Sequence, residues 1–180
     1  MPDDYIIYPY MQMEDGAWSL SDAQVMGLFD RVIRDGHGDI FSDGTIDTRE
    51  KFLSAMKNTS RLYVSVVKGD LAAIFWLNRF EGRTARVHYC TFSGVSYGDK
   101  IRMAKHAVKT LLNMRMSDGS YAIDTLVSYI PTRRRLALRY NLAVGGIPIG
   151  KIPKLIWNGE TGKSEEGLIS YFERESDENL

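Results

Sequence analysis

A chain of 180 residues with 44% hydrophobic residues can bury a substantial core and is expected to form one domain over residues 1–180. Its 23 basic and 23 acidic residues cancel, so the broad positive field of a nucleic-acid-binding protein is missing and no nucleic-acid partner is expected. No stretch approaches the roughly 18 apolar residues that span a bilayer, the single Cys90 admits no internal disulfide, and Asp3, Asp4, Glu14 and Asp15 stand where a signal peptide needs a basic start and an apolar run; no membrane partner and a cytoplasmic location follow as expectations.

Residues 5–11, rich in Tyr and Ile and interrupted by Pro9, suit a first strand near a sheet edge. Residues 21–36 repeat Val25, Leu28, Phe29, Val32 and Ile33 at helical spacing, with Ser21 placed to cap the start and Gly36 to stop it. After a glycine-rich acidic loop, Asp47 or Thr48 can cap a second helix that carries Phe52, Leu53 and Met56 and ends near Asn58. From Arg61 the period becomes two: Leu62, Val64 and Val66 share a face, Lys68-Gly69-Asp70 turns the chain, and residues 71–78 return. A second turn at Glu81-Gly82-Arg83 leads into residues 85–92 and completes an antiparallel meander. Ile101, Ala104, Val108, Leu111 and Leu112 mark one face of a third helix over residues 98–114, stopped by Ser117-Asp118-Gly119. Residues 123–130 form a mostly apolar strand, Pro131 and Thr132 open a helix through Leu142, and Gly145-Gly146 closes it. A last hairpin pairs residues 147–157 with 167–172, and the tail over residues 173–180 is expected to fray.

Two motifs fail on their spacing. Asp39, Asp43, Gly44, Asp47 and Glu50 fall at EF-hand positions between two helices, but Phe41 stands where an oxygen ligand belongs, so no metal site is expected. GETGKS at residues 159–164 lacks the leading Gly of a phosphate-binding loop, because Trp157 holds that place, and the following GLISYFERE alternates like a strand where the motif needs a helix. Cys90 has no placed histidine partner and reads as a small buried residue.

The order strand, two helices, three antiparallel strands, helix, strand, helix, two strands resembles the GCN5-related N-acetyltransferase superfamily over essentially the whole chain, as a divergent member. The resemblance implies an α/β (α+β) fold, the acyl-CoA N-acyltransferase fold, with a mixed, mostly antiparallel central sheet flanked by about four helices. It implies acetyl-CoA as acyl donor, an amine-bearing acceptor as partner, and is compatible with a homodimer. In that family a turn beginning Gln/Arg-x-x-Gly-x-Gly/Ala delivers backbone N–H groups to the pyrophosphate at a helix start, where unpaired donors and the positive dipole end favour an anion. The matching turn is Ser93-Gly94-Val95-Ser96-Tyr97-Gly98, with Asp99 just inside the helix. Ser93 and Ser96 depart from the family's Gln/Arg and Gly, and Arg102 or Lys100 is placed to offset the charge of Asp99. The cofactor contacts implied are therefore Thr91, Phe92, Gly94, Val95, Ser96, Tyr97, Gly98, Asp99, Arg102 and Arg135, the last from a cluster with Arg133, Arg134 and Arg139 that is either a phosphate attractor or a solvated helix face.

TRRRLALRYNLAVGG resembles the family's short helix with a small residue facing the cofactor, here Ala137, and a Tyr one turn later, here Tyr140, to which the role of protonating the departing thiolate is carried. The Tyr140 to Gly145 spacing exceeds the family's by a residue, and the other reading of Tyr140 is a ring packed at the helix edge. The family's carboxylate base is missing from residues 85–92, which leaves His88 as catalytic base or as an ordinary polar strand residue. A backbone N–H among residues 89–92 would meet the oxyanion. Asp39, Asp43 and Asp47, near where this superfamily walls its acceptor site, favour a cationic acceptor. The expected activity is acetyl transfer from acetyl-CoA to an amine; the alternative is a catalytically silent module of the same fold that binds CoA or a protein partner.

Overall fold

The computed structural model describes residues 5–174. In chain order it contains β1 (Tyr5–Pro9), α1 (Asp22–Arg34), a 3-10 turn (Gly38–Phe41), α2 (Arg49–Asn58), β2 (Arg61–Val67), β3 (Asp70–Glu81), β4 (Thr84–Thr91), α3 (Tyr97–Leu112), β5 (Thr125–Pro131), α4 (Arg135–Val144), β6 (Ile147–Asn158) and β7 (Lys163–Glu173). The seven strands form one sheet in the order β1-β2-β3-β4-β5-β7-β6. Every neighbouring pair is antiparallel except β4 and β5, which gives the expected mixed, mostly antiparallel sheet with four helices.

Local chemistry sets the helix starts. Ser21 and Gln24 exchange side-chain to backbone hydrogen bonds in a capping box at α1, and the Thr48 hydroxyl accepts from the Lys51 N–H at α2. The helices cover both faces of the sheet, so β2 and β3 are buried on both sides and side-chain alternation sorts their residues into two cores. On one face Leu62, Val64, Ile74, Trp76 and Cys90 pack against α1 and α2 through Phe29, Phe41 and Phe52. On the other, Tyr63, Phe75, Leu77 and Ala85 pack against Ala104, Ala107 and Leu111 of α3 and Val144 of α4. Fully burying one such ring contributes about 1.5–3 kcal/mol.

Several boundaries differ from the sequence expectation: β3 runs on to Glu81, α3 stops at Leu112, β5 starts at Thr125, and β7 starts at Lys163 and not at residue 167, because Asn158, Trp157 and Ile156 pair with Lys163, Ser164 and Glu165. β1 ends at Pro9, because the Met11 N–H leaves the sheet for the Ser19 hydroxyl at 3.1 Å. Pro131 is the last residue of β5 and not the start of a helix: it lies opposite Gly167, and the Thr132 N–H continues the ladder to the Glu166 carbonyl, so α4 begins only at Arg135. The tail does not fray at residue 173, since Glu173 pairs with Thr125 and the Arg174 guanidinium donates to the carbonyls of Leu112 and Ile123; residues 175–180 of that expectation lie outside the described residues. Among the described residues no helix is long and apolar enough to cross a membrane.

Candidate active site

The parallel pairing of β4 with β5 covers only Thr84↔Thr125, Ala85↔Leu126 and Arg86↔Val127. Beyond Arg86 and Val127 the strands diverge, β4 staying with β3 as far as Thr91 and β5 with β7 as far as Pro131. The Phe92 N–H donates to the Ala72 carbonyl on β3 at 2.8 Å. Alternation along an antiparallel ladder then turns the N–H groups of Thr91, Tyr89 and Val87 away from β3 and into the wedge. Thr91 and Tyr89, not Phe92, are thus the strand donors that face a ligand; the Phe92 ring is buried under the Arg31 guanidinium. A cleft of about 160 Å³ fills the wedge and is lined from both sides of the sheet: His88, Ile40 and Arg134 on the α1/α2 side, Tyr89, Ala104, Ala137 and Asn141 on the α3/α4 side.

At the end of β4 the chain enters the turn into α3. Gly94 adopts φ +91°, a left-handed conformation that strains any residue with a Cβ. The Ser96 hydroxyl caps α3 by accepting from the Asp99 N–H at 3.1 Å, and it donates to the Asp99 carboxylate at 2.7 Å. Asp99 also takes Arg102 at 2.7 Å, and these bonds, that from Ser96 first, hold its carboxyl below the usual range; Arg102 therefore offsets Asp99 as the sequence proposed. The N–H groups of Gly94, Val95, Ser96, Tyr97 and Gly98 have no hydrogen-bond partner among the described residues, and they converge on a helix N-terminus. Ser93, in contrast, gives its N–H and hydroxyl to Asp35, whose side chain is 8% exposed. That tie fixes the turn to the C-terminus of α1.

Aromatic rows cross the sheet and meet at β4. On the α3 side Tyr63, Phe75, Tyr89 and Tyr140 succeed one another at 5.0, 6.2 and 5.5 Å between ring centroids, and Tyr97 from the turn meets Tyr140 edge-on at 6.4 Å. On the α1/α2 side Phe41, Trp76 and His88 stack at 5.8 and 5.0 Å. Tyr140 and His88 thus end two ladders on opposite faces of one strand. The Tyr140 hydroxyl donates to the Lys100 carbonyl at 2.8 Å, and burial pushes its pKa up, so the phenol stays protonated. The α4 face that lines the cleft is Ala137, Asn141 and Val144, with Tyr140 turned toward α3 beside it. His88 is held by Asn78 at 3.1 Å, and burial first, then the Arg86 charge, lower its pKa to about 4. Cys90 is buried with its thiol pushed up to about 12, mainly by burial.

In the acidic loop Asp39 and Asp47 are ion-paired, and Asp43 is held by neutral donors only. Asp39 bonds Arg134 at 2.9 Å, the Asp43 carboxylate accepts from the Thr45 N–H and hydroxyl, and Asp47 pairs with Lys51 at 2.7 Å. Arg133 pairs with Glu165 at 2.6 Å, while Arg135 is exposed on the first turn of α4. The tip of the β6–β7 hairpin closes this side, with the Gly159 N–H donating to the Ser42 carbonyl and no room there for a larger residue without backbone contact. Tyr89 lies within the run 89–92 expected to meet the oxyanion, whereas Asn141 and Arg86 were missed, although the two-residue period of β4 was enough to put Arg86 beside His88.

No protein-family model and no curated protein sequence matches the chain. Solved structures do. The ribosomal-protein-S5-alanine acetyltransferase of Vibrio fischeri superposes with a TM-score of 0.64 at 12% identity, covering 97% of this chain and 95% of that one. The spermidine N-acetyltransferase of Vibrio cholerae, solved with CoA and spermine, gives 0.65 at 11% identity over 94% and 95%. The microcin C7 self-immunity acetyltransferase, solved with acetyl-CoA and AMP, gives 0.63 at 12% identity over 86% and 89%. A sheet that splays at its one parallel pair, followed by a turn of open N–H groups, defines the class: this chain has the fold of the GCN5-related N-acetyltransferases. At such sequence distance the likeness is one of fold.

Proposed function

We propose that the protein is an N-acetyltransferase that moves the acetyl group of acetyl-CoA to an amine, as a divergent member of that superfamily. The observation that carries this reading is the row of unpartnered N–H groups over residues 94–98, which follows β4, the strand that borders the wedge through the sheet. Those donors suit a pyrophosphate, with Arg102 in the first turns of α3, and Arg135 exposed at the start of α4, as candidates for phosphate charge. The Tyr89 and Thr91 N–H groups face the wedge, where they would bind the carbonyl oxygen and hold it more strongly as it becomes an oxyanion. His88 is the candidate acceptor of the amine's proton on the α1/α2 side. Burial keeps it neutral but, at about 4, makes it a weaker base than the ordinary imidazole the sequence suggested, so it would take the proton only after the amine has attacked and become strongly acidic. Tyr140 donates to the leaving sulfur on the other. Its raised pKa matches a desolvated thiolate, whose own basicity rises for the same reason.

A second reading, binding without turnover, is favoured by one feature: the Tyr140 hydroxyl is already engaged by Lys100. Calorimetry with acetyl-CoA followed by thiol release across an amine panel separates the two. Gly98→Pro is the control for the site. Proline is tolerated in a first helical turn, and a Cβ at position 98 meets only the end of Arg102 at 3.5 Å, so the variant folds and lacks one donor. Loss of acetyl-CoA binding in Gly98→Pro is the expected result, and unchanged affinity would remove the turn from the site.

A further inference from the structure

We infer that the acceptor is an amine that also carries a carboxylate, an amino acid or a compound built like one, and that Arg86 with Arg134 reads the carboxylate beside His88. The inference rests on the acetyltransferase reading and specifies its acceptor.

Arg86 and His88 stand two residues apart on β4 and project from the same face of the sheet, the face walled by the 3-10 turn and the β6–β7 tip. The Arg86 guanidinium lies 3.8 Å over the centre of the Tyr129 ring, and Tyr129 lines the cleft. The ring holds the guanidinium in place and the Tyr129 hydroxyl engages part of it, which leaves its remaining N–H groups for a carboxylate at the edge of the cleft. Among the described residues no carboxylate approaches Arg86 within ion-pair distance; Asp43 acts on it only from farther away and is itself bonded within its own turn. Burial and the neighbouring Arg79 lower the pKa of Arg86, as expected for a guanidinium held partly out of water beside another cation.

Arg134 supplies a second open donor. It lines the same cleft, one of its terminal nitrogens bonds Asp39, and its buried Nε has no partner. A buried donor without an acceptor costs about 1–3 kcal/mol, and an acceptor arriving with the substrate recovers that cost. Three acids of the surrounding loop are occupied by cations, Asp39 by Arg134, Asp47 by Lys51 and Glu165 by Arg133, which leaves Asp43, bonded only within its own turn, as the loop carboxylate without an ion pair among the described residues. Of the three acids behind the sequence expectation of a cationic acceptor, Asp39 and Asp47 are therefore already neutralised.

The test compares thiol release from acetyl-CoA with free L-amino acids, with the same amino acids as carboxamides, and with spermidine. Each pair differs in the charge Arg86 reads and in the pKa of the amine, which is lower in the amide, so rates are compared per free amine. The expected result is kcat/KM higher by at least about tenfold for the acids than for the amides, as one charge-assisted bidentate contact implies. Arg86→Met, which keeps an unbranched side chain over Tyr129, should raise KM for the acids toward that of the amides, with acetyl-CoA calorimetry checking that the variant is folded. Amides or spermidine used as well as the acids, or an acid preference that survives Arg86→Met, would overturn the inference while leaving acetyl transfer standing. Thiol release from no amine counts against the acetyltransferase reading instead. Titrating the acetyl-CoA complex with an L-amino acid and then its amide decides the anion site in that event: heat for the acid alone supports it, and equal heats or none refute it.

Discussion

His88 shows how one residue's surroundings fix what it can do. Its pKa of about 4 lies below the ordinary 6.5, so it is neutral in the folded protein across the physiological range. Because the folded value is depressed, protonation favours unfolding: the contribution is fully present above about pH 6.5 and is lost as pH falls toward 4, by up to about 3 kcal/mol. Denaturant midpoints between pH 7 and 4 should fall accordingly in the wild type. In His88→Phe, which keeps a ring against Trp76, that part of the slope should vanish, and an unchanged slope would mean that the imidazole is not desolvated. Tyr140 carries the complementary test. Tyr140→Phe retains the stack on Tyr89 and deletes the bond to Lys100, so acetyl-CoA affinity should hardly change while single-turnover acetyl transfer drops by roughly 10² or more if the phenol is the general acid. A rate within about twofold of wild type would leave Tyr140 as the packed ring of the other reading.

At the scale of elements, α4 positions the wedge and is held by a buried polar triad. Asn141 donates to the Ser128 hydroxyl at 3.0 Å and accepts from Ser170 at 2.7 Å, and the two serines lie 2.7 Å apart, joining the helix to β5 and β7. A Cβ on Gly146 would run into the Asn141 amide. Gly146→Ala should therefore break the triad and lower stability by about 2 kcal/mol, whereas Gly150→Ala, where a Cβ meets nothing, should stay within about 0.5 kcal/mol; equal midpoints for both would show that the triad contributes nothing. The elements themselves were legible wherever a local signal decides them. Ser21 and Thr48 announced two helix starts, and the change of period at Arg61 announced the meander. Pro131 misled, because the proline that favours a helix start is equally at home at a strand end, and the choice lay with its distant partner Gly167. Strand order was likewise out of reach, since β7 enters between β5 and β6 through pairings that no local pattern records. The turn at residues 93–99 was visible from its glycines, but the occupation of Asp39 and Asp47 and the stacking of Arg86 depend on tertiary partners.

For the whole molecule, the splayed sheet decides the order of chemical events. Tyr140 lies on the α3 side and His88 with Arg86 and Arg134 on the α1/α2 side, so on the proposed reading donor and acceptor would approach one wedge from opposite faces. Neither blocks the other. A covalent acetyl-enzyme would need an activated nucleophile, and neither Cys90 nor Ser128 is suited. Cys90 is buried in the α1/α2 core with its thiol raised to about 12, so thiolate is scarce at neutral pH. The Ser128 hydroxyl is bonded to Asn141 and Ser170, neither of which is a base. The proposed acetyl transfer is therefore expected to run by direct attack of the amine within a ternary complex. Initial rates measured against acetyl-CoA at several fixed acceptor concentrations should therefore give intersecting lines in a double-reciprocal plot. Incubation with radiolabelled acetyl-CoA alone should leave no label on the denatured protein. Parallel lines, or label that Cys90→Ala or Ser128→Ala removes, would establish an acetyl-enzyme and exclude direct attack.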